Sequence, residues 1–125
     1  MEIGKALVVD DSRSIRMILS RTLEELGWTV IQAPNGKEAI SLLDAQPEPA
    51  KLVLIDWNMP EMNGLELVRH IRERNRFAAS KLMMVTTETE VEQMMTALAA
   101  GANEYVMKPF TKDIIHSKLR LLGLL

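Results

Sequence analysis

The chain contains no cysteine, and this absence removes several kinds of chemistry at once. Disulfides, thiolate catalysis and cysteine-ligated zinc are excluded, and the composition is compatible with a reducing compartment. Apolar runs long enough to span a bilayer are also absent, and residues 1–5 lack the layout of a signal peptide. We therefore expect a soluble cytoplasmic protein that makes no contact with a membrane.

An excess of positive charge is missing as well. Lysine and arginine number 15 against 17 aspartate and glutamate residues, which gives a formal net charge of −2. Because no stripe of basic residues is present, we expect no direct binding to nucleic acid. The length of 125 residues, with 47% apolar and 26% charged residues, predicts one globular domain over residues 1–125.

Short apolar runs alternate five times with segments of helical periodicity. The predicted strands are residues 5–9, 29–33, 52–55, 82–85 and 105–107. The first, third and fourth are apolar on both faces and suit the middle of a covered parallel sheet, whereas the other two suit its edges. This alternation predicts an α/β fold with helices on both faces of the sheet.

Two of the helical stripes carry specific expectations about which side chains face the core. These side chains are Ile15, Ile18, Leu19, Thr22, Leu23 and Leu26 in the first stripe, and Val91, Met94, Met95 and Leu98 in the fourth. Gly27 and Gly101 follow these stripes, at the position that glycine often takes at the end of a helix.

Charged or hydroxylated residues follow four of the five strands. They are Asp10-Asp11, Asp56, Thr86-Thr87 and Lys108. In an open parallel sheet the binding crevice lies beyond the carboxyl ends of the strands, so these groups are expected to meet. Three carboxylates repel each other unless a cation intervenes, and oxygen ligands without histidine or cysteine favour Mg²⁺, with Mn²⁺ as the alternative.

Each of these residues also has a purely structural interpretation. Asp11 or Ser12 could cap the following helix, Lys108 could lie on the surface, and Thr86 could reflect strand propensity. Their shared position favours a metal-assisted phosphate site, in which Asp56 is a nucleophile toward phosphorus. Lys108 would pair with a phosphoryl oxygen or with Asp56, and the Lys108-Pro109 bond is a candidate for the cis form.

The ordered set of strand-end residues resembles the receiver domain of two-component response regulators. The matching segments are Val9-Asp10-Asp11-Ser12, Asp56-Trp57-Asn58-Met59-Pro60, Met62-Asn63-Gly64, Thr86 and Lys108-Pro109-Phe110, within a match from residue 5 to about residue 122. The resemblance implies a single (βα)5 flavodoxin-like, doubly wound parallel sheet with strand order 2-1-3-4-5.

The resemblance also implies a division of labour at the site. Asp56 would be the phospho-acceptor. Asp11, Asp56 and the backbone carbonyl of Asn58 would bind Mg²⁺ directly, and Asp10 would act through metal-bound water. The phosphoryl group would be bound by Asn58, Thr86, Thr87 and Lys108. The switch residues would be Thr86 and Tyr105. Asn58 and Glu88 would tune the rate of dephosphorylation.

Within the family, residues 57–62, 85–88 and 101–111 resemble CheY-type chemotaxis regulators. The resemblance implies a histidine kinase as phosphodonor, an output protein for which a flagellar motor switch is one candidate, and a phosphatase. The implied partner face is Met94, Tyr105, Met107, Ile114 and Lys118, although methionines at such positions are also common core fillers. Phosphorylation is expected to turn an exposed Tyr105 inward.

Other interpretations remain open at this stage. A flavin-binding protein would need a hydroxyl- and glycine-rich loop after the first strand, where this chain has two acids. A phosphatase of the haloacid dehalogenase type would need an acid at position 58. A receiver cut from a longer regulator, for example a transcriptional one, and a receiver that acts without phosphorylation are the remaining alternatives. As a receiver, the chain would be a signalling protein that catalyses its own phosphorylation and autodephosphorylation.

Overall fold

The computed structural model describes residues 3–87 and 91–125. The strands are β1 (Gly4–Val9), β2 (Trp28–Ala33), β3 (Leu52–Ile55), β4 (Lys81–Thr86) and β5 (Glu104–Met107). The helices are α1 (Arg13–Glu25), α2 (Gly36–Ala45), α3 (Gly64–Arg72), α4 (Val91–Ala100) and α5 (Lys112–Leu121), with a short 3-10 helix at Asn75–Phe77. All strand pairs are parallel and the order is β2-β1-β3-β4-β5, which confirms the predicted fold class and topology.

The sheet separates two apolar layers. Helices α2, α3 and α4 pack on one face, where they bury Ala39, Leu43, Leu67, Val68, Ile71 and Ala97. Helices α1 and α5 pack on the other face, where they bury Leu19, Leu23, Ile115 and Leu119. Each fully buried leucine or isoleucine stabilises the fold by about 2 kcal/mol relative to an exposed one. The central strands are buried along most of their length and the edge strands are not, as predicted.

Two helices that border the carboxyl edge of the sheet begin with side-chain caps. The Ser12 hydroxyl accepts a hydrogen bond from the Ile15 backbone N–H at 3.3 Å. At the start of α3, Asn63 and Glu66 each accept a hydrogen bond from the other's backbone N–H, which forms a capping box. Because Ser12 is the cap of α1, the carboxylate of Asp11 remains outside the cap.

Helix α4 contradicts its predicted core face. Val91, Met95 and Leu98 are 66%, 63% and 46% exposed, so the assignment of these side chains to the core is wrong. The helix packs through another row at a spacing of three residues, in which Ala97 is fully buried and Met94 packs against the core.

Ile18 on α1 is a second correction, because its side chain is 51% exposed rather than buried. With Ile15, Thr87 and residues 108–110 it lines an apolar depression of about 330 Å³ beside the carboxyl edge of the sheet. Across residues 3–87 and 91–125, the structure contains no helix with the length and apolar character needed to cross a membrane.

Candidate functional site

Three carboxylates meet at the carboxyl edge of the sheet. Val9 and Ile55 are register partners in the paired strands β1 and β3, so the residues that follow them, Asp10 and Asp56, are neighbours. One ligand oxygen from each of Asp10, Asp11 and Asp56 lies within 4.8 Å of the other two. We call these three residues the acidic cluster. Asp10 and Asp56 are buried, whereas Asp11 is exposed, so the cluster is open to solvent on one side.

Asp10 is held by hydrogen bonds at its side chain and its backbone. Its Oδ1 accepts from the Ser12 backbone N–H at 2.9 Å, and its Oδ2 accepts from Lys108 Nζ at 2.9 Å. Its backbone carbonyl accepts from Arg16 Nη1 at 2.7 Å. The first acid of the pair is therefore fixed, while the exposed Asp11 directly after it is available for a ligand.

Lys108 extends from the end of β5 into the acidic cluster. Its Nζ lies 2.9 Å from Asp10 Oδ2 and 3.4 Å from Asp56 Oδ1, so its nearer partner is Asp10. The backbone N–H of Lys108 donates to the Thr86 carbonyl at 2.9 Å, which continues the ladder between β4 and β5. The Lys108-Pro109 peptide bond, which the sequence marks only as a candidate for the cis form, is cis.

The electrostatics of the cluster favour a bound cation. Burial, followed by the charge of Asp10, raises the pKa of the Asp56 carboxyl to about 6, although the ammonium of Lys108 partly opposes both effects. Burial alone would lower the pKa of Lys108. Its hydrogen bond to Asp10 and the charges of Asp56 and Asp10 outweigh burial and raise the pKa above its ordinary value. One ammonium thus faces three acids, and the excess negative charge suits a divalent ion.

The donor atoms fit Mg²⁺ better than zinc. All three members of the acidic cluster offer carboxylate oxygens, and the chain has no cysteine. Hard oxygen donors are the ligands that Mg²⁺ and Mn²⁺ prefer. Asn58 follows Asp56 by two residues on the exposed side of the edge. The acidic cluster is therefore able to hold a metal ion.

Comparison with known proteins identifies the family to which this arrangement belongs. The model of the response regulator receiver domain matches residues 6–120. The chain belongs to the response regulator receiver domain family. It is therefore a two-component phosphorelay receiver, in agreement with the resemblance noted from the sequence.

Chemotaxis regulators are among the relatives of this receiver domain. Chemotaxis protein CheY1 of Helicobacter pylori is 47% identical over 118 residues, which are 94% of each chain. A CheY homolog of Campylobacter jejuni is 47% identical over 116 residues, which are 92% of this chain and 88% of the relative. The solved structure of chemotaxis response regulator CheY4 of Vibrio cholerae superposes with a TM-score of 0.88 at 34% identity, over 95% of this chain and 98% of that one. The receiver domain is thus homologous to CheY chemotaxis regulators.

The predicted switch residues of the receiver domain are both buried. Thr86 ends β4 and is fully buried, while Thr87 is exposed beside it. Tyr105 is only 6% exposed, so the expectation of an exposed tyrosine that later turns inward is wrong for this structure. Tyr105 packs in the layer beneath α4, where the buried helix residue is the small Ala97. Glu88, predicted to tune dephosphorylation, lies outside the described residues.

The predicted partner face does not form one exposed cluster of methionine and tyrosine. Met94 and Met107 are half-buried against the core, whereas Ile114 is 41% exposed. Lys118 donates to Glu104 Oε1 at 3.0 Å, so its ammonium is paired within the receiver domain. Exposed large apolar side chains also lie on the outer row of α4, formed by Val91, Met95 and Leu98.

Two contacts with the site were not predicted from the sequence. Arg16 contacts the Asp10 carbonyl, and no spacing rule singles out an arginine in the second turn of a helix for that contact. Gly64 begins α3 where a Cβ atom would lie 2.4 Å from the Asp56 carbonyl oxygen and 3.0 Å from Trp57 Cα. Gly64 is part of the segment Met62-Asn63-Gly64 of the resemblance, but that segment does not predict this close approach to the backbone of Asp56.

Proposed function

We propose that this receiver domain accepts a phosphoryl group on Asp56 from a histidine kinase in a Mg²⁺-dependent reaction. The observation that supports the proposal is the convergence of the acidic cluster within 4.8 Å, with Lys108 Nζ 3.4 Å from Asp56 Oδ1. Asp56 lies at the centre of this arrangement, because it follows a central strand and faces both acids and the ammonium.

In this proposal Asp11, Asp56 and the backbone carbonyl of Asn58 hold Mg²⁺ directly, and Asp10 acts through metal-bound water. When bound, the ion offsets the repulsion among the carboxylates and the negative charge of the phosphoryl oxygens. The fixed position of Asp10 suits an indirect role, since both of its carboxylate oxygens already accept hydrogen bonds.

The chemical step is an in-line displacement at phosphorus. A carboxylate oxygen of Asp56 attacks, an O–P bond forms, and the P–N bond to the donor imidazole breaks with its electron pair left on nitrogen. In this proposal Lys108, Thr86, Thr87 and Asn58 stabilise the phosphoryl oxygens. The same residues allow the receiver to catalyse its own phosphorylation by a small phosphodonor. Asn58 and Glu88 set the rate at which the phosphorylated Asp56 is hydrolysed.

The biological setting follows from the relatives. Since similar proteins are named chemotaxis proteins, we assign this chain to chemotactic signalling in the cytoplasm, with residues 1–125 as one receiver unit. Its partners are a histidine kinase, a phosphatase and an output protein such as a flagellar motor switch protein. The output face comprises Met94, Met107, Ile114 and Lys118, with Tyr105 as the buried switch beneath it.

Incubation with acetyl phosphate and Mg²⁺, followed by intact mass measurement, tests the chemistry. We expect one phosphoryl addition that disappears in Asp56→Asn and after chelation of the metal. Asp113→Asn, an exposed acid on α5, is the matched control and keeps the addition. An addition that persists in Asp56→Asn would contradict the acceptor assignment, and no addition to the wild type would favour a receiver that acts without phosphorylation.

The output face has a separate test. Beryllofluoride with Mg²⁺ mimics the phosphorylated aspartate, and we expect it to raise the affinity for the output protein at least severalfold through a shift between two populations. Ile114→Asp should remove this gain, whereas Ile18→Asp on α1 should keep it. Equal affinity with and without beryllofluoride for the kinase, the phosphatase and the motor protein would contradict the switch.

A further inference from the structure

Arg16 closes the loop that carries the first two acids of the site. Its guanidinium Nη1 donates to the backbone carbonyl of Asp10 at 2.7 Å, and its backbone N–H donates to the Ser12 carbonyl at 3.0 Å. Arg16 lies in the second turn of α1 and is half-buried. A single residue of α1 therefore holds both ends of the segment from Asp10 to Ser12.

The Asp10 carbonyl lies just beyond the regular ladder of the sheet. The backbone N–H of Asp10 donates to Ala33 on β2, and the Val9 carbonyl accepts from the Asp56 N–H on the β3 side. The next carbonyl along, that of Asp10, accepts from the Arg16 side chain instead of from a strand. A buried carbonyl needs such a partner, and a charged donor makes a stronger hydrogen bond than a neutral one.

The contact has a geometric consequence for Asp11. The Asp10 carbonyl and the Asp11 N–H belong to one planar peptide unit, so a donor that fixes the carbonyl also fixes where Asp11 begins. The Asp11 carboxylate is exposed, and neither a hydrogen bond nor an ion pair to it occurs within the described residues. Its direction toward the acidic cluster is consequently set by its backbone.

We infer that Arg16 is a positioning residue for the Mg²⁺ site, which it supports by holding the peptide plane that aims Asp11 at the ion. This inference rests on the proposed function, because it assigns Arg16 a part in the same site. Arg16 touches neither phosphorus nor the acceptor oxygen, so its effect falls on metal affinity and not on the displacement step. Removal of a group that orients the metal ligands without binding the metal itself typically lowers the affinity for the metal about 10- to 100-fold.

Arg13 provides a matched control on the same helix. It carries the same charge, lies closer in sequence to Asp11, and is exposed. Its guanidinium makes neither a hydrogen bond nor an ion pair with any residue in the described ranges. Arg13→Met therefore removes one positive charge near the site but leaves the peptide plane in place, so it separates charge from geometry.

The test is a Mg²⁺ titration of Arg16→Met, Arg16→Lys and Arg13→Met. Binding is monitored through the fluorescence of Trp57, which lies next to the acceptor Asp56 in the sequence. Trp28 is buried on the other face of the sheet and contributes a constant background. We expect the Mg²⁺ Kd to rise about tenfold in Arg16→Met and about threefold in Arg16→Lys, since lysine keeps the charge and one donor but not the planar fork. Arg13→Met should stay within about twofold of wild type.

Two further measurements separate positioning from general damage. At saturating Mg²⁺, the rate of phosphorylation by acetyl phosphate should stay within about threefold of wild type in both Arg16 variants, because the ion restores the ligand geometry. Thermal unfolding in EDTA shows whether Arg16→Met is folded. If it is not, Arg16→Lys decides alone.

The outcomes are distinguishable. An unchanged Kd in the folded Arg16 variants, or an equal rise in Arg13→Met, would overturn the inference and leave the proposed function standing. A phosphorylation rate that stays low at saturating Mg²⁺ would also overturn it, since the defect would not lie in metal binding. Failure of the wild type to bind Mg²⁺ would overturn both the inference and the proposed function.

Discussion

At the carboxyl edge of the sheet charged side chains are buried, whereas on helix α4 large apolar side chains are exposed. Asp10 and Asp56 are 1% and 6% exposed, while Val91 and Met95 on α4 are 66% and 63% exposed. Both regions depart from the usual distribution, in which charged groups face water and large apolar groups face the core.

The two departures differ in their energetic cost. A buried carboxylate loses hydration and is retained only where a partner or a function compensates, and the raised pKa of Asp56 is the direct sign of that cost. An exposed valine or methionine lowers the stability of the folded state only slightly, so α4 can carry an exposed apolar row with little loss of stability. Substitutions at the carboxyl edge should therefore have large effects on stability and chemistry, and substitutions on α4 should have small effects on stability.

The largest effect is expected at Gly64. A Cβ atom there would lie 2.4 Å from the Asp56 carbonyl oxygen, so Gly64→Ala must displace the backbone at the acceptor Asp56. We expect a loss of about 3 kcal/mol in the free energy of unfolding, as for other overpacked sites. The displaced acceptor should also reduce phosphorylation by acetyl phosphate at least about tenfold. Urea unfolding and a mass-based time course measure the two quantities.

Gly123→Ala is the control for Gly64→Ala. Gly123 has a φ of +75°, and no described residue places an atom within 4 Å of where its Cβ would lie, so alanine there adds backbone strain without crowding. We expect a loss of about 1 kcal/mol and unchanged phosphorylation. Identical behaviour of the two variants would show that the contact with Asp56 does not matter.

The next effect concerns the pH dependence of stability in the metal-free protein. The pKa of Asp56 is about 6 in the folded state against 3.8 as the ordinary value, so the folded state binds the proton more tightly than the unfolded chain does. The resulting stability is fully present below pH 3.8 and is lost as the pH rises through about 6. In EDTA at pH 7.5, Asp56→Asn should be more stable than wild type by about 2 kcal/mol, a figure reduced for solvent screening at the open side.

Saturating Mg²⁺ should remove this advantage, because the ion binds the folded wild type and stabilises it by mass action. Urea unfolding at pH 4.5 and at pH 7.5, with and without Mg²⁺, measures the effect, and Asp113→Asn is the exposed-acid control. Parallel pH profiles for wild type and Asp56→Asn in EDTA would show that burial of Asp56 carries no net cost.

The contrast between the carboxyl edge and helix α4 also explains which features could be predicted from the sequence. Residues 52–55 were predicted with the bounds that the structure gives to β3, because a central strand is apolar throughout and its limits are visible. The carboxyl edge was predictable because parallel strands bring their carboxyl ends to one edge of the sheet, where Asp10, Asp56 and Lys108 were expected to meet. The preference of Lys108 for Asp10 over Asp56 depends on distances that spacing does not contain.

The failures have physical causes as well. On α4 the row of Met94 and Ala97 competes with the row of Val91, Met95 and Leu98, and periodicity shows both rows without saying which one packs. The prediction assigns Val91, Met94, Met95 and Leu98 to the core. Of these four Met94 packs there, beside the fully buried Ala97, and the other three are exposed. Arg16 and Gly64 act on backbone atoms of the site, and contacts with backbone leave little trace in a pattern of side-chain types.

The smallest effect is expected on α4, where the same substitution can be compared in two environments. Leu98 is 46% exposed and Leu67 on α3 is fully buried, so Leu98→Ala should change the free energy of unfolding by less than about 0.5 kcal/mol while Leu67→Ala should cost about 3 kcal/mol. The urea midpoints of unfolding measure both changes, provided that the dependence of the unfolding free energy on urea keeps the same slope. A cost above about 1.5 kcal/mol for Leu98→Ala would mean that the outer row of α4 is packed in solution, and the contrast with the carboxyl edge would fail. A near-zero cost would show that this row is not kept for folding, which leaves contact with another molecule as the function to test there.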